Sequence, residues 1–445
     1  MNGLANFVTL YRHQVTALNL LRLNDSFLLS MEQGTGKTLP GLYRIYELLR
    51  CKQINRALIV CPKSVIASWQ RDMEKFTPEA RALLEKQADV INYDAVWRHQ
   101  QYKRQYDLIL LDEAHSIVNR TSKRAEFLLR ASVTAKYRYL LTGTPIGNGR
   151  LEDTWSLFCF MDPYLVGSRI YSNIWKSLTG GKGSYYDWLG RYALLDQYHK
   201  PYRYKHVREV QDLIADYSYS IKKVDCLDLP EKLPDELRIL PLTELKMYKK
   251  MAKDSAIEEL DLIADNPLVK ELYLREIPSG HLTNIPLSTS KRNALLDVLA
   301  ELGDKKLVIF AEFTDSINII KEVLEKEGIP YTTQDGKSDK DNWRRFQSDK
   351  TIRCIICQYA SGYQGIDLYA ADTILYYEPT LRSIVLEQSR DRIHRNGQKN
   401  KCSYIHFLTA GTIEQQIYKT VSNYQDFTKK LFTEYMNTYQ RAYRR

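Results

Sequence analysis

Residues 26–38 read SFLLSMEQGTGKT, and this stretch decides the fold. A short apolar run, residues 26–30, ends at a glycine-rich turn, and apolar residues at helical spacing follow it. Buried strand, glycine turn and helix in this order are typical of a phosphate-binding loop, because the glycines let backbone N–H groups face the phosphates. The residues predicted to bind the nucleotide here are Gly34, Thr35, Gly36, Lys37 and Thr38. Lys37 would supply a point charge and Thr38 a hydroxyl ligand for Mg²⁺. Met31 stands where the strict pattern has glycine.

Similar apolar runs recur on both sides of a long middle segment. They lie at residues 57–61, 107–111, 139–142, 306–310, 352–357, 373–377 and 403–408. Apolar strands that alternate with helices indicate an α/β fold with parallel sheets covered on both faces, whose ligands bind at the carboxyl ends of the strands. Residues 166–286 lack such runs and read as mostly helical. We therefore predict two parallel-sheet lobes, 1–165 and 287–445, joined by a mostly helical insertion and connection.

Two acids, Asp112 and Glu113, end the apolar run at residues 107–111. A carboxylate at the end of a strand can hold Mg²⁺ through water, which is the role predicted for Asp112. Glu113 is placed to orient and deprotonate an attacking water. The alternative is an acidic turn without a chemical role, which the phosphate loop upstream disfavours.

Cations are dense at residues 388–398, which read QSRDRIHRNGQ. Arg392 and Arg395 are three apart and would share one face of a helix. An arginine brought to a phosphate by a second body stabilises charge in the transition state of phosphoryl transfer. On spacing alone, the favoured interpretation is a basic helix face that is exposed to solvent.

The composition narrows the class of protein. The chain has 445 residues, a net charge of +10 and a pI of about 9.0, which suggests two or three domains and weakly favours a polyanionic partner. Cys354 and Cys357 would point to opposite faces of one strand, so the pair predicts core thiols rather than a metal site. No apolar run reaches the length of a membrane span and no signal peptide is apparent. We expect a reducing, intracellular and cytoplasmic setting.

In this order the motifs resemble those of superfamily 2 helicase-type ATPases, specifically the Swi/Snf group of DNA translocases, over essentially the whole chain. The resemblance implies RecA-like lobes, recognition of adenine by Gln14, and nucleotide contacts at Gly365 and Asp367. It also implies that Arg392 and Arg395 act as arginine fingers, which stabilise charge on the transferred phosphate. The implied nucleic-acid contacts are Pro62, Lys63, Ser64, Trp69, Asn92, Tyr93, Ser361, Gly362 and Gln364. The implied coupling residues are His115, Thr142, Gly143, Thr144, Gln388 and Gln398. Gln33, Thr35 and Asp367 depart from the residues common in the group.

The resemblance implies ATP and Mg²⁺ as cofactors and DNA, duplex or branched, as the partner, gripped by its backbone and without sequence preference. Only 13 residues precede Gln14, so we expect a compact motor, active as a monomer, that remodels branched DNA. The alternatives are an RNA helicase, a motor that displaces protein from DNA, and a binder with a degenerate site. Tyrosines at residues 185–186 and 202–204 could stack on unpaired bases, although packing is the favoured interpretation.

Overall fold

The computed structural model describes residues 9–143, 150–162, 183–287, 290–336, 338, 341–362 and 365–442. The chain divides into two compact units, Met1–Asp228 and Leu229–Arg445. Each unit is built around its own six-stranded sheet.

The N-terminal unit contains a fully parallel sheet of strand order β3-β2-β4-β5-β1-β8. A separate antiparallel pair, β6 and β7, forms a hairpin. The strands of this unit are β1 Ser26–Met31, β2 Ala57–Cys61, β3 Ala88–Asn92, β4 Leu108–Asp112, β5 Tyr137–Leu141, β6 Ala193–Leu195, β7 Pro201–Tyr204 and β8 Ser218–Ile221.

Helices cover both faces of this sheet because successive strand side chains point to opposite sides. Leu29 and Leu110 belong to the core on one face, whereas Leu28 and Ile109 belong to the core on the other. The α-helices are Arg12–Leu23, Thr38–Arg50, Ile66–Met73, Pro78–Gln87, Lys123–Ser132, Thr154–Met161, Gly183–Tyr192, Val207–Asp216 and Lys223–Cys226. The 3-10 turns are Lys63–Val65, Gln100–Tyr102, Ala114–Ile117 and Leu151–Asp153.

The C-terminal unit repeats this plan with a parallel sheet of order β15-β16-β14-β17-β18-β9. Its strands are β9 Glu236–Leu240, β10 Ala256–Ile257, β11 Leu262–Ile263, β12 His281–Leu282, β13 Ile285–Pro286, β14 Leu307–Ala311, β15 Tyr331–Gln334, β16 Cys354–Gln358, β17 Thr373–Tyr376 and β18 Ser403–Thr409. The pairs β10–β11 and β12–β13 are antiparallel. The predicted α/β class with two parallel-sheet lobes is confirmed.

The helices of this unit contain from 4 to 14 residues. They are Leu245–Asp254, Pro267–Ser279, Ser290–Leu302, Thr314–Lys326, Asn342–Ser348, Tyr359–Gly362, Ser383–Arg390, Ile413–Val421 and Lys429–Ala442, with a 3-10 turn at Glu258–Leu260. Among the described helices of the whole chain, none is both long and apolar enough to cross a membrane.

Cys354 and Cys357 lie on opposite faces of β16, as the strand pattern predicts. Cys357 packs in the core that contains Phe310, and Cys354 packs in the core that contains Ile309. Both are free thiols, and burial raises their pKa values. The described part of the chain holds no cluster of three or more ligands that could bind a metal ion.

The predicted helical insertion, 166–286, does not form a unit of its own. Its described residues divide at Asp228 and Leu229, so the units differ from the predicted lobes 1–165 and 287–445. Strand β8 completes the first sheet beside β1, and β9 completes the second beside β18. Both are edge strands with partly exposed side chains, so neither produces the continuous apolar run that marks a central parallel strand.

Candidate nucleotide-binding site

The glycine turn after β1 has the backbone shape of a phosphate-binding loop. β1 ends at Met31 and the next helix begins at Thr38. Between them Gly34 has φ 86° and Gly36 has φ 76°, a left-handed conformation that favours glycine. A Cβ on Gly36 would lie 2.2 Å from the Nε2 atom of Gln14. The left-handed backbone conformation therefore favours glycine at this position, and a Cβ there would displace the amide end of Gln14.

The first helix attaches to this loop through two side chains. Gln14 Nε2 donates to the carbonyl oxygens of Gly36 at 3.1 Å and Thr35 at 3.3 Å, while its Oε1 accepts from the N–H of Tyr11 at 2.9 Å. The Nε2 atom of His13 lies 2.8 Å from the carbonyl oxygen of Thr35. The fold thus brings the predicted adenine-reading glutamine to the phosphate loop.

Lys37 directly contacts Glu113, one of the two acids at the end of β4. Its Nζ lies 2.9 Å from Glu113 Oε1, and both side chains are at most 10% exposed. Gln33 donates to the same oxygen at 3.1 Å, and His115 Nδ1 lies 3.4 Å from Glu113 Oε2. Burial acts to raise the pKa of Glu113, but these three neighbours hold that pKa below its ordinary value. Glu113 is therefore ionised at neutral pH, as an acceptor of protons must be.

Asp112, the last residue of β4, is buried and held by three donors. Its Oδ2 accepts from the indole N–H of Trp69 at 2.8 Å, and its Oδ1 accepts from the backbone N–H of Glu113 at 3.0 Å. The hydroxyl of Tyr93 donates to the Asp112 carbonyl oxygen at 2.8 Å. Burial raises the pKa of Asp112, against the lowering effect of Lys37.

These bonds contradict two predicted nucleic-acid contacts. Trp69 is 0% exposed and Tyr93 is 3% exposed, and a side chain with almost no accessible surface cannot touch DNA. Both residues orient Asp112 instead. The motif resemblance led to the error, because it identifies a segment but does not say which of its side chains face inward.

Other predicted contact residues lie at the carboxyl ends of neighbouring strands. Lys63 and Ser64 are exposed in the turn after β2, where Pro62 is half-buried. Asn92 ends β3, and its Oδ1 accepts from the backbone N–H of Ala95 at 2.9 Å. Because β1 to β4 are parallel, these residues lie along the same sheet edge as the phosphate loop and Asp112.

The predicted coupling residues Thr142 and Gly143 pack against β1. The backbone N–H of Thr142 donates to the carbonyl oxygen of Leu29 at 3.1 Å, and Thr142 is fully buried. A Cβ on Gly143 would approach the Met31 carbonyl oxygen to 3.4 Å. Thr144 lies outside the described residues.

In the C-terminal unit the two predicted arginine fingers converge on one carbonyl group. The Nη1 atoms of Arg392 and Arg395 each donate to the Ile366 carbonyl oxygen at 3.1 Å, and Arg395 forms an ion pair with Asp367. The helix that was expected to carry them ends at Arg390, so both arginines lie in the turns that follow. Tertiary hydrogen bonds, not a shared helical face, bring them together.

Neighbouring predicted residues shape this turn. Gln398 Nε2 donates to the Ala371 carbonyl oxygen at 2.7 Å, and Arg392 Nε donates to the carbonyl oxygen of the buried Gln388 at 2.9 Å. Gly365 has φ 76°.

At the end of β16, Ser361 and Gly362 form a short helix with Tyr359 and Ala360, in which a Cβ on Gly362 would lie 2.6 Å from Cys357 Cβ. Gln364 lies outside the described residues. Gly362 is therefore buried in the core, where it cannot touch nucleic acid.

Sequence reasoning missed a set of attachments between this turn and the segment just after the unit boundary. Asp235 forms an ion pair with Arg390 and accepts from the hydroxyl of Tyr418 at 2.7 Å. Lys232 Nζ lies 3.2 Å from Asp391 Oδ1, and His394 Nε2 lies 2.8 Å from the carbonyl oxygen of Pro230. The partners are more than 150 residues apart in sequence, so no local pattern indicates them.

Comparison with known proteins agrees with this geometry. Residues 89–259 match the SNF2-related domain, residues 290–397 match the helicase conserved C-terminal domain, and residues 7–147 match the type III restriction enzyme res subunit. An uncharacterized ATP-dependent helicase of Mycoplasma pneumoniae is 25% identical over 450 residues, which cover 93% of this chain and 41% of that protein. The TATA-binding protein-associated factor MOT1 of Saccharomyces cerevisiae is 26% identical over 505 residues, covering 92% of this chain and 27% of MOT1.

Among solved structures, the Sulfolobus solfataricus SWI2/SNF2 ATPase core in complex with dsDNA is similar, at 22% identity and a TM-score of 0.42. The match covers 96% of this chain and 93% of that chain. This chain spans less than half the length of the two curated relatives above.

The phosphate loop after β1, the two acids at the end of β4 and the arginine-bearing turn of the C-terminal unit are features of the class of helicase-type ATPases. The matched domains and the curated relatives narrow this class further. The chain is similar to the SNF2-related domain over residues 89–259 and to the helicase conserved C-terminal domain over residues 290–397, which agrees with the resemblance seen in its motifs.

Proposed function

We propose that this protein hydrolyses ATP to move along DNA and uses that movement to remodel branched DNA. The observation that carries the proposal is the ion pair between Lys37 and Glu113, 2.9 Å apart and beside Asp112. A buried cation on the phosphate loop after β1 and an ionised acid after β4 of the same sheet are the two charges that phosphoryl transfer to water requires.

In this proposal, ATP binding frees Glu113 for catalysis because Lys37 exchanges one partner for another. Lys37 leaves Glu113 for the β- and γ-phosphates, which compete for its ammonium group. Glu113 is then able to orient and deprotonate a water molecule, with Gln33 still donating to its carboxylate. Of the groups that lower the pKa of Glu113, Gln33 and His115 remain beside it after Lys37 has left.

The donors beside the phosphate loop suit Mg²⁺. The Thr38 hydroxyl and the Asp112 carboxylate are oxygen ligands of the kind that this ion prefers, and Trp69 fixes the orientation of the carboxylate. These two residues would hold the ion, which would neutralise charge on the phosphates.

The C-terminal unit contributes positive charge. By the motif resemblance, Arg392 and Arg395 would donate to the γ-phosphate, and Asp367 and Gly365 would contact the nucleotide. Because Arg395 is paired with Asp367 and both arginines share one carbonyl oxygen, their position is set before ATP arrives. Loss of the γ-phosphate removes these contacts, so each hydrolysis cycle changes the grip on DNA.

Charge and exposure support a sequence-independent grip on the DNA backbone. The chain carries a net charge of +10, and Lys63 and Ser64 are exposed at the sheet edge. A grip on the DNA backbone does not read the bases. Selection of a substrate would then depend on DNA shape, for which a branch point is the plainest candidate.

The test is ATP hydrolysis with no nucleic acid, single-stranded DNA, duplex DNA, a synthetic fork and structured RNA. We expect stimulation by DNA, strongest with the fork, and at least about a 100-fold loss of kcat in Glu113→Gln. Glu126→Gln is the matched control, because Glu126 is exposed and pairs only on the surface with Arg130. Retained binding of a fluorescent ATP analogue would show that Glu113→Gln is folded.

Movement is measured separately by displacement of a third strand from a triplex and by conversion of a four-way junction. Stimulation by RNA alone would overturn the choice of DNA. Triplex displacement without any effect on forks or junctions would leave a duplex translocase and refute the branched-DNA role.

A further inference from the structure

The hairpin β6–β7 in the N-terminal unit is a feature that the ATPase cycle does not use. Its strands, Ala193–Leu195 and Pro201–Tyr204, are antiparallel and joined by a turn at residues 196–200. The Asp196 side chain closes the turn by accepting the backbone N–H groups of Tyr198 at 2.8 Å and Lys200 at 2.9 Å. The turn is therefore a defined structure with its own hydrogen bonds.

The base of the hairpin is fixed to the unit. The hydroxyl of Tyr204 donates to Glu152 Oε2 at 2.5 Å, and the hydroxyl of Tyr192 donates to Glu209 Oε1 at 2.9 Å. Ala193 is buried, and Trp188 packs in the core on one face of the sheet. Anything that binds the tip would be held by a rigid base.

Above this base the aromatic rings are exposed. Tyr198 in the turn is 72% exposed, and Tyr202 on β7 is 68% exposed. By contrast, Tyr185 packs edge-on against Trp155, and Tyr204 is half-buried. The favoured interpretation of these tyrosines as packing residues therefore fits Tyr185 and Tyr204 but not Tyr202.

The sequence that carries the exposed rings is rich in positive charge. Residues 193–208 contain four lysines and arginines against one acid, a surplus of three, and that acid is Asp196, whose carboxylate serves the turn. Arg203 and Lys200 are exposed beside the two tyrosines. Exposed aromatic rings between cations are suited to unpaired nucleic-acid bases, because rings stack on base faces while cations attract the phosphates. Paired bases inside a duplex offer no such faces.

We propose that this hairpin binds unpaired DNA bases, with Tyr198 and Tyr202 as stacking platforms and Lys200 and Arg203 as phosphate contacts. The inference rests on the proposed function for its choice of DNA and deepens it. It gives the motor a means to recognise the single-stranded region of a branch point, where duplex and unpaired strand meet.

Binding without ATP tests the hairpin independently of catalysis. Fluorescence anisotropy would measure the Kd of the full chain for single-stranded DNA, a blunt duplex and a duplex with a single-stranded tail. We expect Tyr198→Ala and Tyr202→Ala each to weaken binding of single-stranded and tailed DNA by about fivefold or more, and blunt duplex by less than about twofold. Tyr424→Ala, which removes an exposed tyrosine from the C-terminal unit, is the matched control and should change nothing.

Arg203→Ala should lower the salt dependence of binding to single-stranded DNA between about 50 and about 200 mM salt. Unchanged affinity of both tyrosine variants for unpaired DNA would refute the inference, and so would equal weakening on the blunt duplex. If the variants lose affinity as expected but the wild type never hydrolyses ATP, the hairpin assignment stands and the proposed motor function fails. If DNA stimulates hydrolysis while both tyrosine variants keep wild-type affinity, the motor function stands and the hairpin assignment fails.

Discussion

Removal of one member of the buried ion pair between Lys291 and Glu414 should strongly destabilise the C-terminal unit. Lys291 Nζ lies 2.6 Å from Glu414 Oε1, and the two side chains are 2% and 1% exposed. Lys291 also donates to the Tyr377 carbonyl oxygen at 2.8 Å, and Glu414 Oε2 accepts from the backbone N–H of Thr409 at 2.8 Å. The pair thereby joins the helix Ser290–Leu302 to the loop after β17 and the end of β18.

The expected magnitude follows from the burial of both charges. In Lys291→Met the carboxylate of Glu414 stays buried without its cation, which costs about 3–5 kcal/mol. In Lys291→Met with Glu414→Gln both charges are gone, and neutral replacement of a buried pair is often close to energetically neutral. The double variant should therefore be more stable than Lys291→Met alone, by about 2 kcal/mol or more.

Urea unfolding of the full chain, with hydrogen exchange of peptides from residues 403–421 as a local probe, would measure these differences. Lys419→Met is the control, because Lys419 is exposed on the same helix as Glu414 and should change stability by less than about 0.5 kcal/mol. A loss of less than about 1 kcal/mol in Lys291→Met would refute the reasoning, as would a double variant less stable than the single one.

Further predictions concern titration, the phosphate loop and the arginine turn. Burial raises the pKa of Glu378 from its ordinary 4.5 to about 7, so stability that is present below about pH 4.5 is lost as the pH rises through 7. Glu378→Gln should shrink the difference in urea midpoint between about pH 5 and about pH 7.5, and an unchanged difference would refute the assignment. Gly36→Ala strains a backbone with φ 76° and displaces the amide end of Gln14, so it should weaken binding of a fluorescent ATP analogue by about tenfold or more. Gly190→Ala meets nothing within 4 Å and should bind normally. Arg390→Met removes one of the side chains that hold Asp235 beside the arginine turn and should lower kcat for ATP with little change in KM, with partial rescue by Arg390→Lys. An equal loss in both variants would indicate a purely structural role.

Local chemistry made much of this protein predictable from its sequence. The phosphate loop depends on glycines within a few residues of one another, and the acidic box depends on one apolar strand that ends in two acids. Strands β1, β2 and β4 are central and buried, so they appear as apolar runs. In a parallel sheet the ends of such strands meet at one edge, which is why Lys37 and Glu113 could be assigned to one site although they are 76 residues apart.

Only the tertiary structure decided which side of each segment faces inward. Trp69 and Tyr93 lie in motif segments expected to face nucleic acid, yet they turn inward to Asp112, which is 43 and 19 residues away. The edge strands β8 and β9 escaped notice because half-exposed strands carry no continuous apolar signal. Sequence periodicity records whether a residue is buried but not the partner it is buried against. That partner is selected by the packing of distant elements, as with Asp235 and Arg390, 155 residues apart.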